Sequence, residues 1–228
     1  MAERVHPLKL TSLLLQYPSA ERREAAAAAA EFEIVPARGR QAEDLAAFCT
    51  WYSARDVAEL QGLYVAAFDF TKTCSLHLTY HVYGDQRRRG IAMVELKRAY
   101  REAGFDPPGT ELPDFLPLML EFAALVPGDR GVELLEENRV AIELVRAGLA
   151  RESSAFEPLL GAVVAALPRL GSRKLARIRK LAAEGPPVEE VGLEPFAPPE
   201  VMPLGDPASA RPMVGGVGAP AEPGERAR

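Results

Sequence analysis

What this 228-residue chain lacks narrows the field first. No apolar run approaches the roughly 20 residues that cross a bilayer. The opening MAERVHPLKLTSLLLQYPS has only a short apolar patch, interrupted by charge and with no small-x-small cleavage site after it, so no signal peptide is expected. Two cysteines, Cys49 and Cys74, are too few for a disulfide framework and suit a reducing compartment such as the cytoplasm. There is no glycine-rich phosphate loop, no GxSxG, no cysteine nucleophile beside a base and no paired-cysteine motif. The expectation is a protein that is not an enzyme, with no catalytic residue, cofactor or metal assigned. Strand-period runs bounded by turns are also missing, which leaves an all-α body.

Composition adds little: 48% hydrophobic and 26% charged residues are ordinary for a soluble domain. The net charge of -5 is unevenly spread, because residues 185–228 carry seven acids against three arginines. The body is therefore near neutral, and no nucleic-acid partner is expected. Half of the 20 prolines also fall after residue 184, so a single all-helical domain (1–184) followed by a Pro/Gly-rich, acidic, disordered tail (185–228) is the expected organisation.

Periodicity and punctuation give the helices. His6 to Gln16 stops before Tyr17-Pro18; Ser19 caps a second helix to about Phe32, rich in alanine. A third runs from about Gln41 to Tyr52, a fourth from Ser53 or Asp56 to Phe68, and an amphipathic one from Gln86 to Ala103 ends at Gly104. Asp129 to Arg151 reads as one long helix, a further one follows Ser153 or Ser154, and Ser172 to Glu184 reads as a last, basic one with a solvated face. On a helix, Cys74, His77 and His81 would lie one above another as a thiolate and two imidazoles, but neither an HExxH glutamate nor a second cysteine accompanies them.

Between Glu111 and Phe122 the order ELPDFLPLMLEF is harder to explain by helix building alone. Pro113 stands where a helix would begin, with Glu111 and Asp114 at its positive end and Pro117 one turn inside. Wound at about 100° per residue the segment is apolar almost all round, and Asp114 and Glu121 share the one remaining stripe. The two acids either cap the helix and pair with a neighbouring arginine, or line a groove that receives a basic peptide.

ELPDFLPLMLEF resembles the signature of the nitrate reductase delta-subunit family, chaperones among the wider TorD-like maturation proteins. Glu111, Pro113, Asp114, Leu116, Pro117 and Glu121 match it, whereas Phe115 stands where the family usually has His. Tyr64-Val65-Ala66-Ala67-Phe68-Asp69 resembles the family's Tyr, three residues, Phe-Asp, and His81-Val82-Tyr83-Gly84-Asp85 its His-Val-His-Gly-Glu, with Tyr83 for the second His. The likeness covers roughly residues 64–125 and extends weakly to LLLQYP. It implies a helical bundle acting as a cytoplasmic chaperone that binds the catalytic (alpha) subunit of a respiratory nitrate reductase by an N-terminal segment and keeps it open for molybdenum cofactor insertion. Contact with the insertion machinery, no stable membrane association and a monomer or weak dimer are implied as well. Tyr64, Phe68, Phe115 and Leu116 would give apolar contact, with Asp69, Asp114 and Glu121 the charge, and His81, Glu111, Pro113 and Pro117 completing the matched positions. Another molybdoenzyme as client, a plain helical adaptor, or a metal- or nucleotide-dependent enzyme are the alternatives.

Overall fold

The structure, a computed structural model, describes residues 4–31, 33–34, 40–84, 87–107 and 109–171, and singly 176, 178 and 180. All lie in the first of the chain's two units, Met1–Glu189. The tail expected over 185–228 lies outside the described residues, as does most of the helix expected over 172–184.

Helix starts follow local chemistry. Helix α1 (Pro7–Leu14) begins with proline in its first turn, and the His6 ring accepts from the Leu8 N–H at 3.3 Å. Ser19 Oγ accepts from the Arg22 N–H to cap α2 (Ala20–Glu31). After α3 (Arg40–Ser53), Asp56 caps α4 (Val57–Phe68) by accepting from the Glu59 N–H at 2.8 Å. A 3-10 turn (Lys72–Cys74) leads to the short α5 (Leu78–Tyr83), closed by Gly84 at φ 57° and ψ -139°, a conformation that side chains resist. Then come α6 (Arg87–Glu102), α7 (Leu116–Leu125), α8 (Arg130–Glu137), α9 (Arg139–Arg151) and α10 (Glu157–Ala166). The architecture is all-helical, as expected, except for a two-residue parallel pair, β1 (Arg4–Val5) with β2 (Glu33–Ile34).

Three expectations need correction. The central helix starts at Leu116, not Pro113, so Pro117 occupies the first turn, where its missing N–H costs nothing. The long helix expected from Asp129 to Arg151 is interrupted at Asn138, whose ψ of 9° breaks the ladder while its side-chain amide donates to the Leu134 carbonyl at 2.9 Å. Cys74, His77 and His81 do not share a helix, because Cys74 ends the 3-10 turn and His77 only precedes α5.

Helices α1 and α7 form the axis of the core. Each is buried on most of its circumference, they pack on each other, and Ser12 Oγ of α1 donates to the Pro117 carbonyl at 2.6 Å. Helix α10 packs on α3 and α9, and its cap residue Phe156 gathers an aromatic cluster, with ring centroids 5.8 Å from Phe48, 5.9 Å from Tyr64 and 5.2 Å from Phe68. Such edge and tilted contacts add to what area burial alone supplies.

On α9, Gly148 lies so close to the 3-10 turn that a Cβ would stand 2.8 Å from the Thr73 carbonyl and 3.0 Å from Cys74 Sγ. Gly148→Ala is expected to destabilise the fold by about 1–3 kcal/mol. At Gly62, on the outside of α4, a Cβ meets nothing within 4 Å, and Gly62→Ala is expected to stabilise by roughly 0.5–1 kcal/mol. Thermal melts of the two variants check the opposite signs.

Candidate functional site

The central feature is not a helix but the strap, Pro113 to Leu116, that leads into one. Leu78 donates its N–H to the Asp114 carbonyl at 3.0 Å and Leu116 donates to the Leu76 carbonyl at 2.8 Å, a single antiparallel bridge centred on His77 and Phe115. Tyr100, buried on α6, donates its hydroxyl to the Pro113 carbonyl at 2.7 Å. The strap is thereby tied to α5, α6 and the body at once.

Asp114 holds the strap from beneath. Its side chain has no exposed surface; His77 Nδ1–H donates to it at 3.2 Å, the Thr79 hydroxyl donates to its other oxygen, and the Arg89 guanidinium lies 3.5 Å away. Burial by itself would raise the carboxyl pKa, but the hydrogen bonds from His77 and Thr79 and the charges of His77 and Arg89 outweigh it and hold the group below its ordinary value. Asp114 is thus a buried anion. The stripe expected for Asp114 and Glu121 does not exist, since one precedes α7 and the other pairs from α7 with Lys9 of α1.

Fixing the strap leaves Phe115 half-buried, its ring 5.4 Å from that of His77, at the edge of an open cleft of about 270 Å³. The cleft is lined by Gln16 and Tyr17 after α1, Arg22 of α2, Tyr64 of α4, and Glu111, Phe115, Pro117, Leu118 and Glu121 around the start of α7. The Tyr64 ring meets Tyr17 edge-on at 5.6 Å and Phe68 at 4.7 Å, and its hydroxyl donates to the Leu15 carbonyl at 3.1 Å. Burial, with the Asp69 and Glu111 carboxylates adding to it, pushes this phenol well above its ordinary pKa, so it stays a donor.

The sequence-predicted residues therefore divide. Tyr64, Glu111, Phe115, Pro117 and Glu121 meet in the cleft. Phe68 backs Tyr64 from the core, and Asp69, exposed at the end of α4, contributes charge from the side. Pro113, Asp114 and Leu116 are buried in and below the strap, so they shape the site without facing an incoming ligand. His81 is buried too; Nε2–H donates to the Ser75 carbonyl at 2.7 Å, and desolvation lowers its pKa despite that bond and Asp114. Among the described residues no group of three or more His, Cys, Asp or Glu is placed to hold a metal, and no helix is long and apolar enough to cross a membrane. Sequence reasoning missed Tyr17 and Arg22 as cleft residues; their signal was only the proline-terminated first helix beside a capped second one.

The family model described as nitrate reductase delta subunit matches residues 33–160, more than half of the chain. The chain belongs to that family. It is similar, at 39% identity over 49% of its own length, to the Bacillus subtilis (strain 168) protein named Probable nitrate reductase molybdenum cofactor assembly chaperone NarJ. It is 34% identical over 67% of its length to the Nitrate reductase molybdenum cofactor assembly chaperone NarJ of Escherichia coli (strain K12). These matches span 60% and 65% of the two relatives. A segment covering 35% of the chain is 46% identical to 12% of the Nitrate reductase-like protein NarX of Mycobacterium tuberculosis (strain CDC 1551 / Oshkosh). Every predicted site residue lies inside the family match, whereas Gln16, Tyr17 and Arg22, one wall of the cleft, lie outside it.

Two titrations follow from the burial. A carboxyl with a depressed folded-state pKa contributes stability above its unfolded value and loses it as pH falls through the folded one, so Asp114→Ala is expected to cost about 3 kcal/mol at neutral pH and progressively less in strong acid. A histidine with a depressed pKa behaves differently: stability is full above its ordinary 6.5 and falls as pH drops below it. Melting temperatures measured from pH 7.5 to 5 should decline in the parent and decline less in His81→Gln; His6, whose pKa burial also lowers, carries part of the remaining slope.

Proposed function

We propose that the protein is an assembly chaperone that binds the catalytic subunit of a respiratory nitrate reductase in the cytoplasm and keeps it competent for molybdenum cofactor insertion. The observation that carries this reading is the convergence of Tyr64, Glu111, Phe115, Pro117 and Glu121 on one cleft. Aromatic and apolar residues form most of its lining, with Gln16 and Arg22 on one wall and Glu111 and the Lys9-paired Glu121 at its rim, an arrangement suited to a basic side chain whose aliphatic stem lies on the rings while its head meets Glu111. The naming of the similar proteins as nitrate reductase molybdenum cofactor assembly chaperones supports the same reading.

At about 270 Å³ the cleft takes anchoring side chains and not a whole helix. An N-terminal segment of the client would lie across the surface as an amphipathic helix and insert one basic anchor, with Tyr17 and Leu112, 50% and 44% exposed, as apolar shoulders. The strap does not move in this scheme. Its buried anion keeps Phe115 and Pro117 in register with the rim acids, so binding uses a preformed surface.

Affinity capture from cells grown anaerobically on nitrate, with mass spectrometry of retained protein, is expected to recover a molybdoenzyme catalytic subunit without its cofactor. Glu111→Lys combined with Glu121→Gln should weaken that capture on the order of tenfold while lowering stability by less than about 1 kcal/mol, because Glu111 is exposed and the Lys9 pair that Glu121 gives up is itself partly exposed. Recovery of no such subunit by the folded parent protein would overturn the proposal.

A further inference from the structure

Helix α6 carries a face that the cleft does not use. Its sixteen residues, RRRGIAMVELKRAYRE, hold six basic side chains against Glu95 and Glu102, a local charge of +4 within a chain of net charge -5. One side is packed, with Leu96, Ala99 and Tyr100 buried. At about 100° per residue, Arg87, Ile91, Val94, Arg98 and Arg101 fall on a single narrow face on the opposite side. Ile91 and Val94 are 59% and 64% exposed, and the three arginines are exposed as well. Arg88 and Lys97, also exposed, flank the face, while Glu95 and Glu102 stand at its edge, Glu102 3.6 Å from Arg98.

We propose that this face of α6 docks reversibly on an anionic lipid surface. The order along the face is cation, aliphatic, aliphatic, cation, cation, which matches the boundary between headgroups and acyl chains: guanidiniums meet phosphates and the β-branched pair enters the apolar margin. The chemistry beside the face favours a lipid over an acidic peptide. A second cleft, of about 460 Å³, opens between α6 and α8 and is bordered by Arg98, but Glu95, Glu102 and Glu137 line it too and oppose an acidic chain, and Ile91 and Val94 line neither it nor the first cleft. A fluid headgroup layer meets the exposed pair without a pocket. The acidity of the rest of the chain adds orientation, since repulsion from the same surface turns the other faces away. A single helix face of this size gives weak, salt-sensitive binding and no insertion across the bilayer. The inference stands on α6 alone, and its failure would leave the cleft reading untouched.

The test is co-sedimentation of the full chain with vesicles of phosphatidylcholine alone and of phosphatidylcholine mixed with phosphatidylglycerol. At low salt the mixed vesicles are expected to retain on the order of tenfold more protein than the neutral ones, and raising salt should release it. Arg87→Glu with Arg101→Glu, and separately Ile91→Ser with Val94→Ser, should each abolish retention without shifting the melting temperature, because all four side chains are exposed. No retention of the parent protein, or equal retention by neutral vesicles, would overturn the proposal. So would full retention of the serine variant, which would assign the face to a polyanion or an acidic protein partner by charge alone.

Discussion

A carboxylate with no water around it must be answered by protein groups, and the answer given to Asp114 organises this molecule. His77 and Thr79 come from the start of α5 and Arg89 from α6, so one anion draws two separate pieces of chain to the strap. Such a cluster is weak grounds for overall stability, since desolvation consumes most of the attraction. What it fixes is position: the strap from Pro113 to Leu116 has one place to lie, and the first turn of α7 begins from there.

The cleft is a consequence of that placement. Because α7 starts late, Pro117 and Leu118 stand at its floor instead of inside a longer helix, and Glu121 meets Lys9 of α1 instead of sharing a stripe with Asp114. Phe115 lies over His77 as an apolar surface and offers no proton to exchange. The site's polar groups, Gln16, Arg22, Glu111 and Glu121, thus surround an apolar and aromatic lining. That favours recognition by shape and charge over chemistry on a bound molecule.

Much of the scaffold was legible from local signals. Ser19, Asp56 and Gly104 mark helix ends by the chemistry of their own side chains or the lack of one, and each does so in the structure. Local signals failed where two satisfied the same rule. Pro113 and Pro117 are both acceptable in a first helical turn, and the choice between them is made by pairing with Leu76 and Leu78, almost forty residues earlier in the chain. Apolar periodicity likewise runs straight through Asn138, because the break there is confined to one residue and the buried positions of α8 and α9 keep a common helical spacing. In the site, motif residues were found and their exposure was not: whether an aspartate near a helix start faces solvent or lies buried depends on Thr79 and Arg89, which no spacing around Asp114 reveals.

The bond from Ser12 to the Pro117 carbonyl joins positions 105 apart in sequence, and the cleft lies between the elements it connects. A nascent chain on the ribosome has no such surface until α7 has emerged and α1 has returned to meet it, a loop closure that must precede any gain from the contact. The cleft therefore forms late and all at once in the life of each molecule. A truncated translation product ending before the strap would carry α1, α4 and every aromatic of the fourth helix, yet lack the floor and the acidic rim of the cleft.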